Sequence, residues 1–192
     1  CGSRPRWAAE RAARFTMNAH TRRLSLAGPA GALEAALDEP AAAPGALLVV
    51  CHPHPLHGGT MDNKVVQTIA RAGLQLGWRV LRFNYRGVGA SAGAWDEGRG
   101  EVEDALAVIA AGRAEAPGLP LMLAGFSFGG YVAATAATRL AEPPQRLALV
   151  AHDDDYGKAN VATIRAVAAR LGVRLVAHGA PGACVPRTAA DQ

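Results

Sequence analysis

The chain has 192 residues, of which 50% are hydrophobic, 19% charged and 5% aromatic. Twenty Lys and Arg residues against sixteen Asp and Glu leave a net charge of only +4. The basic residues are scattered outside one N-terminal cluster, and few aromatic residues accompany them, so composition argues against a nucleic-acid partner. The length suits one domain with a sizeable core, and the apolar content excludes a disordered chain.

The cysteines and the apolar runs restrict the cellular context. Cys1, Cys51 and Cys184 are too few and too far apart for a disulfide framework or a zinc knuckle. No apolar run approaches the roughly 18 residues needed to cross a bilayer, and the N-terminus lacks the apolar stretch of a signal peptide. We therefore expect a cytoplasmic protein with no membrane partner.

Hydrophobic periodicity predicts alternating strands and helices from residue 21 onward. Two short strand-like runs flank the turn-rich residues 28–31, which indicates a β-hairpin. Later apolar runs are typical of strands buried on both faces. The predicted strands are 22–27, 32–37, 46–51, 79–83, 119–124, 146–151 and 173–177, and the predicted helices are 63–76, 101–114, 131–140 and 160–171. This alternation predicts an α/β fold, a three-layer sandwich with a mostly parallel sheet.

Residues 125–129 read Gly-Phe-Ser-Phe-Gly and stand between a predicted strand and a predicted helix. A G-x-S-x-G motif in this context is typical of a nucleophile on a sharp turn. Small neighbours let strand and helix approach, and the helix N-terminus offers N–H groups to a developing oxyanion. The pattern predicts Ser127 as the nucleophile; the alternative is a glycine-rich turn with an incidental serine.

Residues 52–59 read His-Pro-His-Pro-Leu-His-Gly-Gly and follow the first long buried strand. The second donor of an oxyanion hole is expected after such a strand. Proline has no N–H, so the backbone N–H groups of His54 and Phe128 are the predicted oxyanion hole.

The same segment leaves a metal site open as an alternative. His52, His54 and His57 have an H-x-H-x-x-H spacing, and Asp62 could supply a fourth ligand. The competing interpretation is that these histidines only pack and hydrogen-bond around the loop. We favour that second interpretation, and predict no metal.

A third glycine-rich segment carries a family resemblance. Residues 84–91 read Asn-Tyr-Arg-Gly-Val-Gly-Ala-Ser and follow the next strand. With the G-x-S-x-G motif and the stretch HPHPLHGGTMDNKVV, they resemble the α/β-hydrolase superfamily, in particular small bacterial hydrolases related to dienelactone hydrolases and serine esterases. The resemblance covers residues 22–151. It implies an α/β-hydrolase fold, a nucleophilic serine that forms an acyl-enzyme, and no cofactor.

The resemblance also implies an acid and then a histidine, each in a loop after a later strand. The histidines and acids that follow the serine are His152, His178, Glu142, Asp153, Asp154, Asp155 and Asp191. The order is satisfied by Asp154, or a neighbour, as the orienting acid and by His178 as the base. The alternative is that residues 153–155 form a solvated acidic turn and that His178 has no catalytic role.

The C-terminal segment departs from the family pattern. That pattern requires two further strands after residue 151, whereas this sequence lacks part of the expected strand–helix units. Residues 151–180 instead resemble a strand–helix–strand segment of periplasmic amino-acid-binding proteins, which indicates a chimera or a truncated hydrolase. We divide the chain into an N-terminal extension at 1–20, an α/β-hydrolase core at 21–151 and an atypical segment at 152–192.

These observations predict a serine hydrolase that cleaves a small-molecule carboxylic ester or related acyl compound, as a carboxylesterase does. The short stretch between residues 151 and 172 leaves no room for a large lid, so we expect an open site. Two alternatives belong to other classes. One is a catalytically silent or truncated hydrolase fragment, and the other is a small-ligand-binding protein.

Overall fold

In the computed structural model, the residues that can be described are 21–150, and they form a mixed sheet covered by helices. The strands are β1 (Arg22–Gly28), β2 (Gly31–Asp38), β3 (Leu47–Cys51), β4 (Arg79–Phe83), β5 (Leu121–Phe126) and β6 (Arg146–Val150). The helices are α1 (Lys64–Gln75), α2 (Arg99–Glu115) and α3 (Phe128–Arg139), with a short 3-10 helix at Pro55–His57.

The strands of the described region are ordered β1-β2-β4-β3-β5-β6. The β1–β2 hairpin pairs antiparallel to β4, whereas β4, β3, β5 and β6 run parallel to one another. The predicted α/β class with a mostly parallel sheet is therefore confirmed. Because the parallel strands point the same way, the loops that follow β3, β4 and β5 meet at one edge of the sheet, where ligands bind in such folds.

Helices cover both faces of the sheet. Val66 and Ala70 of α1 pack on one face, in a cluster of buried residues that includes Leu48 of β3. The other face carries a larger cluster to which α2 and α3 both contribute, for example through Val102 and Val132. Strands β3 and β5 have helices on both sides, which explains why their sequences are continuously apolar.

A buried ion pair ties the hairpin to the sheet centre. Arg82 of β4 is 1% exposed. Its guanidinium donates to Oδ2 of Asp38 at 3.0 and 3.1 Å, to the carbonyl of Met61 at 3.2 Å and to Asp62 at 3.2 Å. The arginine thus links β2 to the segment that follows the 3-10 helix.

Three predicted elements have a boundary shifted by two residues or more; one of them is α2, which begins at Arg99 rather than at 101. β5 is Leu121–Phe126 rather than 119–124, and α3 begins at Phe128 rather than at 131. Gly125 resembles a turn residue, yet the strand continues through Gly125 and Phe126 because Gly125 pairs with Cys51 of β3 and Phe126 pairs with Val150 of β6. The 3-10 helix at Pro55–His57 was not predicted, since its short length leaves no periodicity.

Some predictions fall on residues that are not described. The helix at 160–171, the strand at 173–177 and the division into segments at 1–20 and 152–192 lie outside residues 21–150. Within that range, no helix combines the length and apolarity that crossing a bilayer requires.

Candidate active site

Ser127 occupies the turn between β5 and α3 with an unusual backbone conformation. Its φ is +54° and its ψ is −119°. Positive φ is uncommon for residues other than glycine and is retained only where the surrounding structure imposes it. Here the N–H of Ser127 donates to the carbonyl of Val150 at 2.7 Å, and its own carbonyl accepts the N–H of Gly130 at 2.8 Å. The serine is thereby fixed, partly exposed, at the N-terminus of α3.

The two glycines of the motif are required by close backbone contacts. A Cβ at Gly125 would lie 2.0 Å from the carbonyl oxygen of Gly129. A Cβ at Gly129 would lie 2.3 Å from the carbonyl oxygen of Cys51 and 2.5 Å from that of His52. The turn at residues 125–130, which we call the elbow, therefore packs directly against the end of β3.

His52 is a structural residue behind the elbow. The side chain is fully buried, and Nε2 accepts the backbone N–H of Tyr85 at 3.2 Å. Nδ1 lies 2.7 Å from the carbonyl oxygen of Pro53, so we assign the proton to Nδ1. Burial lowers the pKa of His52 to about 4, with the Pro53 hydrogen bond acting in the opposite direction. The ring is therefore neutral, and both of its nitrogens are engaged.

The metal alternative finds no support in the described residues. Across residues 21–150, no three His, Cys, Asp or Glu side chains are grouped so that they could hold an ion. His52 has both ring nitrogens in hydrogen bonds, and Asp62 pairs with Arg23 at 2.9 Å and with Arg82 at 3.2 Å. In the described residues, His52 and His54 form ring hydrogen bonds and His57 stacks on His54.

His54 lies in a group of rings beside the elbow. Its centroid is 4.6 Å from that of His57, 4.6 Å from that of Trp95 and 5.0 Å from that of Phe128. Its Nδ1 accepts the N–H of Leu56 at 3.2 Å. Partial burial lowers the pKa of His54 and the charge of nearby His57 lowers it further, whereas the Glu101 carboxylate acts in the opposite direction.

The structure brings together the two residues predicted as oxyanion donors. Phe128 is the first residue of α3, so its N–H is one of those that the helix itself does not use. His54 is the residue before the 3-10 helix, and its ring contacts that of Phe128. Both residues therefore lie beside Ser127, at the edge where β3 and β5 end.

The loop after β4 is fastened to α2 by two buried carboxylates. Asp104 accepts the backbone N–H of Arg86 at 2.9 Å and its guanidinium at 2.8 and 3.0 Å. Glu101, which is 0% exposed, accepts the N–H of Asp96 at 2.9 Å and that of Gly98 at 2.7 Å. These bonds hold Trp95 against His54. Sequence reasoning missed Trp95 and Glu101. Glu101 lies three residues after the N-cap of α2, but that N-cap is Gly98 rather than the serine or threonine by which a capping box is recognised.

Cys51 lies at the end of β3 and is unsuited to be a nucleophile. The side chain is buried, and burial raises the pKa of its thiol to about 12, although a hydrogen bond with Tyr85 opposes the shift. Since the thiolate is the reactive form, this cysteine stays inert at neutral pH. The other two predicted catalytic residues, Asp154 and His178, lie outside the described residues.

A parallel, helix-covered sheet with a serine on a tight strand–helix turn is the architecture of an α/β serine hydrolase. A family model described as "Serine aminopeptidase, S33" matches residues 42–180. The chain belongs to this family, within the α/β-hydrolase superfamily. The resemblance found in the sequence is thus confirmed at the level of the superfamily.

Solved structures agree with this assignment. XC6422 from Xanthomonas campestris, described as a member of the α/β serine hydrolases without a lid, is 36% identical with a TM-score of 0.68, over 78% of this chain and 80% of that one. An α/β serine hydrolase homologue from Coxiella burnetii is 34% identical with a TM-score of 0.68, over 80% of this chain and 84% of that one.

A sequence relative is an uncharacterized protein of Rickettsia prowazekii (strain Madrid E). It is 37% identical over 123 residues, which are 64% of this chain and 52% of the relative. The chain therefore spans about half the length of the curated relative that it matches.

Proposed function

We propose that this chain hydrolyses carboxylic esters through Ser127. The observation that carries the proposal is the positive φ of Ser127 at the turn between β5 and α3. Strain of this kind at a residue other than glycine is typical of functional positions. The turn also places a hydroxyl at a helix N-terminus, where negative charge is stabilised.

The proposed reaction proceeds through an acyl-enzyme. Oγ of Ser127 attacks the ester carbonyl while His178 takes the hydroxyl proton, and Asp154 orients the imidazole. The N–H groups of His54 and Phe128 hold the oxyanion of the tetrahedral intermediate. Collapse of the intermediate breaks the bond to the alcohol oxygen, which takes the proton from His178. Water then releases the acid by the same steps in reverse.

Two of the three histidines within residues 21–150 have ring nitrogens engaged in hydrogen bonds, which favours a base located further along the chain. His52 is buried with both nitrogens engaged, and Nδ1 of His54 accepts the N–H of Leu56. The carboxyl end of β6 lies beside the elbow, because the carbonyl of Val150 accepts the N–H of Ser127. The family model extends to residue 180, so the matched region includes both His152 and His178.

The nucleophile can be tested with a fluorophosphonate probe, which labels activated serines. We expect labelling of the full chain, its loss in Ser127→Ala, and its retention in the control Ser25→Ala, since Ser25 is exposed on β1. A folded protein that is not labelled would overturn the proposal and favour the catalytically silent alternative.

The bond that is cleaved can be tested with matched substrates. An ester and an anilide of the same acyl group differ only in the leaving group, and we expect hydrolysis of the ester alone. Cleavage of the anilide of an unblocked amino acid would instead indicate the peptidase activity that the family description mentions. His178→Ala should reduce ester hydrolysis as strongly as Ser127→Ala does, whereas His152→Ala should not.

A further inference from the structure

We propose that the rings beside Ser127 bind a planar aromatic group of the ester substrate. The inference rests on the proposed ester hydrolysis and adds the class of substrate. We call these rings the aromatic cluster; its members are His54, His57, Trp95, Phe128 and Tyr131.

The cluster is continuous. The rings of His54 and His57 are stacked, with centroids 4.6 Å apart and planes inclined by 23°. Trp95 lies 4.6 Å from His54 and 5.2 Å from Phe128. Tyr131 extends the cluster along α3, 6.0 Å from Phe128. All these separations are within the range at which aromatic rings attract one another.

The cluster adjoins the serine. Phe128 follows Ser127 in the sequence, and Tyr131 lies one helical turn further along α3. The turn before α2 closes on the same rings, since a Cβ at Gly98 would lie 3.0 Å from Cε1 of Tyr131 and 3.5 Å from Cε2 of Phe128. A substrate whose carbonyl is bound at Ser127 would therefore meet the cluster with its neighbouring group.

One ring of the cluster is buried in the protein, and the others are accessible to solvent. Phe128 is only 2% exposed. His54, Trp95 and Tyr131 are partly exposed, and His57 is exposed. The adjacent Leu56 is 68% exposed, which adds apolar surface at the rim. The accessible part of these rings can contact a flat aromatic ligand by stacking or edge-to-face, and gains less from a non-planar ring.

The cluster is also held in place before any ligand binds. Glu101 fixes the turn that carries Trp95, through the N–H groups of Asp96 and Gly98. Asp104 fixes the start of the same loop through Arg86. A surface that is already ordered loses little conformational entropy on binding, which favours affinity.

Two pairs of esters test the inference. The two members of each pair differ in the ring, which is aromatic in one and saturated in the other, but not in the reactivity of the ester group. The pairs are 2-phenylethyl and 2-cyclohexylethyl acetate for the alcohol side, and methyl 3-phenylpropanoate and methyl 3-cyclohexylpropanoate for the acyl side. We expect kcat/KM to be about 3- to 10-fold higher for the phenyl member of at least one pair, as a stacking contact provides. The difference should appear mainly in KM.

Variants connect the preference to the cluster. Trp95→Leu should bring the phenyl-to-cyclohexyl ratio of kcat/KM close to one, and Trp95→Phe should preserve part of it. Trp78→Leu is the matched control, because Trp78 packs against the core cluster on the α1 face of the sheet, and it should leave the ratio unchanged. His57→Ala should lower the ratio as well, and because His57 is exposed we expect this variant to fold normally.

A second readout does not depend on turnover. 2-Phenylethanol should slow fluorophosphonate labelling of Ser127 at concentrations where 2-cyclohexylethanol does not. If the protein hydrolyses the esters but the phenyl and cyclohexyl members of each pair have the same kcat/KM, the aromatic preference is overturned. The ester hydrolase proposal would still stand. Absence of both labelling and hydrolysis would overturn the proposed function and this inference with it.

Discussion

The carboxylate of Glu101 accepts the backbone N–H of Gly98 at 2.7 Å at a position with no solvent exposure. Its second oxygen accepts the N–H of Asp96 at 2.9 Å, so one buried side chain closes the turn at the start of α2. Trp95 is the residue directly before this turn. Glu101 is therefore a positioning residue for the aromatic cluster.

Glu101→Gln should lower both stability and substrate binding. The amide keeps one acceptor and turns an N–H group toward a backbone donor, which we expect to cost roughly 1–3 kcal/mol of unfolding free energy. Urea unfolding measures this, and KM for the phenyl esters should rise more than kcat falls. Glu103→Gln is the control, because Glu103 forms only a surface pair with Arg139. Equal effects of the two variants would contradict the positioning role.

Gly129→Ala should abolish the native elbow. The added Cβ would lie 2.3 Å from the carbonyl oxygen of Cys51, and the backbone on that side has no room to move. We expect a loss of about 3 kcal/mol or more, visible as a large fall in Tm or as insoluble protein. Gly45→Ala is the matched control, since its nearest neighbour is the carbonyl oxygen of Gly77 at 3.9 Å. A Gly129→Ala protein with normal stability would contradict the close contact.

Arg82→Ala should destabilise the fold strongly, because it leaves the Asp38 carboxylate buried without its cation. Removing one member of a buried pair typically costs about 3–5 kcal/mol. Replacing both members, as Arg82→Met with Asp38→Leu, should recover much of that loss. Arg99→Ala, which breaks only exposed pairs with Asp96 and Glu97, should leave the urea midpoint unchanged.

Stability should fall as the pH is lowered from 7 to 5, partly because of His52. The pKa of this histidine is about 4 in the folded chain against an ordinary value of 6.5, so the unfolded chain binds the proton more tightly in this interval. The contribution of His52 to the free energy of unfolding is fully present above pH 6.5 and is lost as the pH falls toward 4. About 2 kcal/mol of it is lost by pH 5. His52→Gln should weaken this dependence in urea unfolding curves recorded at both pH values. An unchanged dependence would show that other groups cause it.

Much of the fold was predictable from the sequence because the buried strands have a simple signature. β4 was predicted with its observed bounds, and β3 and β6 to within one residue. Of these three strands, only β3 is apolar and buried along its whole length, as expected of a strand covered on both faces, whereas β4 contains Arg79 and Arg82 and β6 is partly exposed. The β1–β2 hairpin followed from its turn residues. The largest boundary shift, three residues at the start of α3, fell at the elbow, where glycine serves a close backbone contact and so resembles a loop residue.

The candidate site was predictable in part. Motifs single out Ser127, His54 and Phe128 as candidates, because the roles predicted for them depend on local backbone geometry that a short sequence encodes; those roles stay predictions. Trp95 and Glu101 were missed, since their importance comes from contacts between β3, α2 and α3 that no local pattern records. Asp154 and His178 stay predictions, because residues 151–192 are not described.

The backbone contacts across the elbow would also determine which residues are replaced in a lineage that is no longer selected for catalytic activity. Gly125 and Gly129 are required for packing whether or not Ser127 reacts, so a lineage selected only for folding would keep both. Position 127 is subject to the opposite pressure, since its positive φ favours glycine over serine. Drift in an inactive lineage would therefore replace the serine first and preserve the glycines around it.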